Sequence, residues 1–155
     1  MQLSRRTLDR IFAKIRELTP RTWGGQLSWC IEQLNGYLRG WIGYFQLITG
    51  EAWRVLRNLD CHIRRRLRAL IVRQKKRPRH LFRNLVARGC SWQSAARTAF
   101  SRRGTWWQSN SAAMTRAYPN RWFAERLVSL STLWDERRYD WRPLFRGYRS
   151  EEPDV

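Results

Sequence analysis

The chain has 155 residues, 43% of them hydrophobic, and ten are tryptophans. This apolar content is enough for a buried core, so wholesale disorder is excluded. The 31 Lys and Arg residues outnumber the 12 Asp and Glu residues, and the formal net charge is +19. Because so basic a chain repels itself unless an anion neutralises it, the composition predicts a nucleic-acid-binding protein of one domain, or of one domain with an extension.

The cysteine and histidine content further narrows the class of protein. The chain has three widely spaced cysteines and two histidines: Cys30, Cys61, Cys90, His62 and His80. An odd number of cysteines without a CxxC pair indicates reduced thiols in a cytoplasmic protein. Their spacing does not fit a structural zinc site, so we expect neither a metal nor a cofactor. The start of the chain does not resemble a signal peptide, and charged residues interrupt its one long apolar stretch, so we expect no membrane helix.

The first two predicted helices lie in the first 50 residues. The first runs from about Ser4 or Thr7 to Leu18, because its apolar residues recur at the i, i+3, i+4, i+7 spacing of one buried stripe. The second covers residues 26–50 and ends at a Thr-Gly stop signal. Opposite its main apolar stripe lie three glycines: Gly36, Gly40 and Gly43. Glycine inside a helix is costly, so this stripe predicts close approach by another helix or by a nucleic-acid backbone.

The third predicted helix, residues 52–72, has one apolar and one cationic face. The apolar stripe consists of Ala52, Leu56, Leu59, Ile63, Leu67 and Leu70. The opposite face is predicted to carry Arg54, Arg57, Arg64, Arg65 and Arg68. A solvated charged face is the ordinary meaning of such a run, but it usually mixes signs, and here almost all the charge is positive. We therefore interpret this face as a phosphate-binding surface.

A basic hinge with a proline follows, and it carries Lys75, Lys76, Arg77 and Arg79. A nuclear localisation signal has a similar composition. Beyond the hinge, short helices are predicted over residues 78–88, 91–100, 111–117 and 121–133. Trp106 and Trp107, beside Arg102 and Arg103, are candidates for stacking on bases.

These predictions give an all-α fold with three parts. Residues 1–74 form a three-helix bundle, and residues 75–134 form the basic hinge and a smaller satellite of short helices. Residues 135–155 form a flexible tail. The carboxylates are few and scattered, and neither a phosphate loop nor a catalytic constellation is present, so we expect no enzyme activity.

One segment resembles a known family. The run LNGYLRGWIGYF at residues 34–45, with Leu59-Asp60 and the arginine run that follows, is similar to the maturase-specific domain of group II intron reverse transcriptases, also called the thumb or X domain. The resemblance continues through the hinge to residues 127–130, as in the C-terminal portion of bacterial members. The Tyr-x-Asp-Asp motif of the family's polymerase and its cysteine-paired zinc endonuclease do not occur in this sequence.

The resemblance implies that a bacterial thumb domain grips structured intron RNA, or an RNA–DNA duplex, and helps the intron reach its splicing-competent fold. The RNA contacts predicted here are Arg54, Arg57, Arg64, Arg65, Arg68, Lys75, Lys76, Arg77, Arg79, Arg102, Arg103 and Trp106. Two alternatives remain open. The chain is an interaction module that docks in trans on a separate fingers-palm polypeptide of a reverse transcriptase, or it is a non-specific DNA-binding protein.

Overall fold

The computed structural model describes residues 3–22, 24–45 and 52–140, with side chains as far as residue 136. These residues form nine α-helices and no strand, which confirms the all-α prediction. The helices are α1 (Arg5–Leu18), α2 (Leu27–Tyr44), α3 (Ala52–Gln74), α4 (Pro78–Ala87), α5 (Trp92–Ala99), α6 (Thr105–Gln108), α7 (Ala112–Ala117), α8 (Asn120–Ala124) and α9 (Leu130–Asp140). Within the described ranges, every helix is too short or too polar to cross a membrane.

Helices α1, α2 and α3 begin and pack largely as their sequences predict. The Ser4 hydroxyl accepts a hydrogen bond from the Thr7 backbone N–H at 3.2 Å, which fixes the start of α1. All six residues of the predicted α3 stripe are buried. They share one core with Ile11 and Ile15 of α1 and with Leu34 and Leu38 of α2. Burying each such side chain stabilises the fold by roughly 1.5–3 kcal/mol.

The glycine face of α2 is open in the described part of the chain. A Cβ added at Gly36 or Gly40 would meet no other atom within 4 Å, so no described residue packs closely against these two glycines. Tyr44, one turn after Gly40, is 81% exposed. The predicted helix end at residues 49–50 lies outside the described residues.

The second half begins with well-predicted short helices. Hydroxyl groups of Ser91 and Ser111 cap α5 and α7, each by accepting a hydrogen bond from the backbone N–H three residues later. The single helix predicted over residues 121–133 was wrong, because α8 ends at Ala124 and α9 begins at Leu130. Helix α9 then continues to Asp140, into the segment predicted as a flexible tail. The later residues of that segment lie outside the described part.

Two polar side chains of the three-helix unit hold the chain at this break. The buried carboxylate of Asp60 in α3 accepts hydrogen bonds from the backbone N–H groups of Leu130 and Ser131 at 2.9 and 3.0 Å. It also accepts from the hydroxyls of Ser129 and Ser131. It therefore acts as the N-terminal cap of α9, although it lies some 70 residues earlier in the chain.

Asn35 of α2 holds the turn just before α9. Its side-chain amide donates to the Arg126 carbonyl at 2.8 Å, and its side-chain oxygen accepts from the Val128 N–H at 2.7 Å. Helix α9 thus packs on α2 and α3, and the buried core is continuous from Ile11 to Trp134. The domain boundary predicted between residues 74 and 75 stays a prediction.

Candidate nucleic-acid interface

The charge of the chain is concentrated in one segment. Residues 61–124 contain no Asp or Glu, yet they contain sixteen Arg and Lys. This segment covers the second half of α3 and all helices up to α8. Most residues of the candidate interface lie in this segment. Their basic side chains therefore have no carboxylate from the same segment to neutralise them.

The five arginines predicted on the outer face of α3 have three different environments. Arg54 and Arg57 are exposed, and the Arg57 guanidinium lies 5.0 Å from the centre of the Trp53 ring. Arg64 and Arg65 are half-buried. Arg68 is buried, so its placement on the exposed face was wrong.

Arg68 is buried because the satellite helices cover this side of α3. Its Nε and Nη2 atoms both donate to the Tyr118 carbonyl, at 3.1 and 2.9 Å, and its guanidinium lies 5.2 Å from the Phe123 ring centre. Burial, together with the nearby positive charge of Arg64, lowers the pKa of Arg68. This guanidinium ties the satellite to α3, so Arg68 does not belong to an exposed phosphate-binding surface.

Arg65 contacts the predicted stacking residue. Its guanidinium lies 4.0 Å from the centre of the Trp106 ring, and its Nη2 atom donates to the Trp106 carbonyl at 3.2 Å. The contact holds α6 against α3. Trp106 nevertheless remains 43% exposed, so the indole is fixed in place and still reachable from solvent.

The predicted hinge cations lie mostly at the surface. Lys76, Arg77 and Arg79 are exposed, and Lys75 is half-buried. Lys76 has a φ of 53°, the left-handed region, where it turns the chain from α3 into α4. Before α6, Arg102 and Arg103 are also exposed.

A concave site, hereafter the arginine cleft, has a volume of about 560 Å³. Three segments line it: the end of α1 with the loop that follows, one face of α3, and the start of α6. Its walls contain five arginines and no carboxylate. The residues are Arg16, Thr19, Arg21, His62, Arg66, Ala69, Leu70, Arg73, Arg103, Gly104, Thr105 and Trp106.

Hydrogen bonds from α3 hold the α1 side of the arginine cleft. The Nε atom of Arg66 donates to the Thr19 hydroxyl at 2.6 Å, and its Nη2 atom donates to the Thr19 carbonyl at 2.7 Å. Further along α3, Arg73 donates to the Arg21 carbonyl at 3.2 Å. The loop after α1 is thereby fixed beside α3, and its arginines are brought close to those of α3.

Gly104 shapes the opposite wall. Its φ of 85° is in the left-handed region, which residues with a side chain rarely adopt. This turn precedes α6 and brings Arg103, Thr105 and Trp106 into the wall of the cleft.

Like charges crowd together in the arginine cleft. The pKa of Arg66 is lowered, first by burial and then by the positive charges of Arg16 and Arg21. The pKa of His62 is also lowered, by burial and by Arg66, Arg16 and Arg65. His62 is therefore predominantly neutral at pH 7, and a bound anion would relieve the mutual repulsion of the arginines.

The cleft continues into the hinge. Arg73 and Thr105 also line a neighbouring groove of about 300 Å³, whose walls include Lys76 and Arg77. The predicted hinge cations thus adjoin the arginine cleft. A groove of about 410 Å³ shares His62 and Trp106 with the arginine cleft and contains Arg64, Arg65 and Arg68 in its walls.

Sequence reasoning found part of this site. It predicted Arg103, Trp106, Lys76 and Arg77, which the structure places in or beside the cleft. It did not select Arg16, Arg21, Arg66 and Arg73 as contacts. The α3 members could have been found from their spacing, since His62, Arg66 and Arg73 lie on one side of a 3.6-residue helix. No local signal relates that side to Arg16 or Arg21.

The described part of the chain is all-α and carries a cleft whose walls are cationic. Residues 8–89, more than half of the chain, match the family model described as group II intron, maturase-specific domain. The chain therefore belongs to the group II intron maturase-specific domain family. A search of curated proteins found no match. The matched domain is the maturase-specific part of the family's proteins and not their polymerase palm.

Proposed function

We propose that this protein binds structured group II intron RNA through the arginine cleft and the adjoining hinge groove, and that binding assists folding and splicing of the intron. The observation that carries the proposal is the arginine cleft itself, with five arginines and no carboxylate in its walls. Membership of the maturase-specific domain family supports intron RNA as the polyanion. The proposed setting is the cytoplasm of a bacterium.

The proposed mechanism is binding and not covalent catalysis. Guanidinium and ammonium groups would contact RNA phosphates and release their counterions. Because these groups are fixed by the fold, they would favour the RNA conformation whose phosphates match their positions. The bond-making steps of splicing would belong to the RNA.

The hinge groove provides the mutational test. The triple variant Arg73→Gln, Lys76→Gln and Arg77→Gln removes three neighbouring positive charges from the proposed surface. A matched control, Arg5→Gln, Arg6→Gln and Arg10→Gln, removes three exposed charges from α1, none of them in the walls of the cleft. Both variants have the same net charge.

We expect the hinge variant to bind folded intron RNA about 10-fold more weakly in a filter-binding titration, with a smaller salt slope. The control should stay within about 2-fold of the unmodified chain. Equal losses in the two variants would mean that only net charge matters, and the proposed surface would be wrong.

A second candidate function is docking on a separately encoded reverse-transcriptase polypeptide. The observation that favours it is the outer face of α2, where Gly36 and Gly40 are open and Tyr44 is 81% exposed. Small residues flanked by an aromatic ring allow close approach of another helix. Gly36→Leu and Gly40→Leu should abolish co-purification with such a polypeptide and leave RNA affinity unchanged if docking uses this face.

A further inference from the structure

We propose that the arginine cleft binds one unpaired nucleotide of an RNA strand, with its base on the Trp106 indole and its flanking phosphates on the arginines. The inference rests on the proposed function, and it assigns a ligand class to the cleft: single-stranded RNA with a splayed-out base. The hinge groove then carries the strand that continues from this nucleotide.

The aromatic part of the argument is the position of Trp106. The indole lines the cleft and is 43% exposed, so part of its surface is open to a ligand. Arg65 stacks on the ring at 4.0 Å from its centre and hydrogen-bonds the Trp106 carbonyl, which holds the residue in place. A rigid aromatic surface of this kind suits base stacking, which is tolerant of sequence.

The phosphate part of the argument is the distribution of charge around that ring. Arg16 and Arg21 approach from the α1 side, Arg73 from α3 and Arg103 from the α6 side. The Arg73 side chain donates to the Arg21 carbonyl, and the Arg103 guanidinium lies 5.1 Å from the centre of the Trp107 ring, whereas Arg16 and Arg21 are exposed. A phosphate on either side of the base could therefore reach a guanidinium.

The shape of the site favours an unpaired nucleotide over a duplex. The ligand-binding surface is a cleft of about 560 Å³, within the size range of small-molecule sites, and not a long flat or convex surface. In an RNA duplex the bases are stacked inside and the groove that holds most sequence information is too narrow for side chains. Only an unstacked base can present its face to Trp106.

A double-mutant cycle between protein and RNA tests the proposal. The probes are a pentanucleotide of uridines and the same ribose–phosphate backbone with all five bases removed, which has equal charge. The unmodified protein should bind the uridine form about 5- to 150-fold more tightly, which is the range expected for one stacked base. Trp106→Leu should remove most of this preference, whereas Trp29→Ala, an exposed tryptophan on α2, should retain it. Retention of the preference in Trp106→Leu would overturn the proposal.

A second pair of variants covers the case in which Trp106→Leu unfolds. Arg16 and Arg10 are both exposed on α1, but only Arg16 lines the cleft. Arg16→Gln should weaken binding of the pentanucleotide about 3-fold or more, and Arg10→Gln should change it less than 2-fold. Equal effects of the two substitutions would contradict the proposal.

Failure of the single-nucleotide site can be distinguished from failure of the proposed function. The pentanucleotide has no intron sequence, so base-dependent binding in the cleft can be found even if the chain shows no preference for intron RNA. Conversely, a preference for intron RNA that is unchanged in Trp106→Leu would support the proposed function and overturn the single-nucleotide site.

Discussion

Two groups of arginines in the described part of the chain have different roles. One group donates to backbone carbonyls, as Arg66 does to Thr19 and Arg68 does to Tyr118. The other group, which includes Arg16 and Arg103, is exposed on the walls of the cleft. A paired guanidinium cannot be replaced by lysine without losing its geometry, and reversing its charge would damage the fold. Charge-reversal tests of RNA binding must therefore leave Arg68 unchanged.

His62 should make stability depend on pH. Five neighbouring side chains face the imidazole: Phe12 and Arg16 on α1, Arg65 and Arg66 on α3, and Trp106 on α6. Burial and the arginines lower the pKa of His62 below its usual value of 6.5. The unfolded chain therefore takes up this proton at a higher pH than the folded chain does, so stability is full above about pH 6.5 and falls as the pH drops below it.

We expect the urea midpoint to decrease between pH 7 and pH 5.5. In His62→Gln this decrease should be smaller, while in His80→Gln, which replaces an exposed histidine on α4, it should be unchanged. A midpoint that rises as the pH is lowered, or an equal decrease in His62→Gln, would contradict the assignment.

Among the elements, α9 shows how the satellite is fixed to the three-helix unit. The N-terminus of α9 has a distant cap, because Asp60 of α3 accepts four hydrogen bonds from residues 129–131. The turn just before it is held by Asn35 of α2. Asn35 and Asp60 both lie in the segments that carry the family resemblance, and in this chain both residues bind the C-terminal segment to the bundle.

Asp60→Ala should therefore destabilise the whole fold. Removing the carboxylate leaves the first backbone N–H groups of α9 without their acceptor, which we expect to cost about 3 kcal/mol. For a chain of this length the loss lowers Tm by roughly 6–12 °C. Thermal unfolding followed by circular dichroism measures it. Asp9→Ala, which removes an exposed carboxylate from α1, should shift Tm by less than about 2 °C. A small shift in Asp60→Ala would show that α9 is held mainly by apolar contacts.

At the scale of the whole molecule, structural features that depend on neighbouring residues were predicted better than features that depend on residues far apart in the sequence. The starts of α1, α5 and α7 were predictable because Ser4, Ser91 and Ser111 cap the residues that directly follow them. The break between α8 and α9 was not predicted, because it depends on contacts with Asn35 and Asp60 far away in the sequence.

Contacts between residues far apart in the sequence also determine the candidate site. Periodicity predicted a cationic side of α3, but it could not show that Tyr118 would bury Arg68 from a position 50 residues away. Nor could it show that Thr19 and Arg21 would be held beside α3 to complete the arginine cleft. Family membership was recognisable because the motif at residues 34–45 is contiguous.

The most direct test of RNA binding is the affinity of the unmodified chain for a folded group II intron RNA, compared with unrelated duplex RNA and duplex DNA of equal length across a salt series. We predict a preference for the intron RNA that survives moderate salt, with a log–log slope of about −3.5 to −4.5, as about five phosphate contacts would give. Equal binding to all three polymers, lost together as the salt concentration rises, would contradict the proposed function and indicate a cationic surface without specificity for intron RNA.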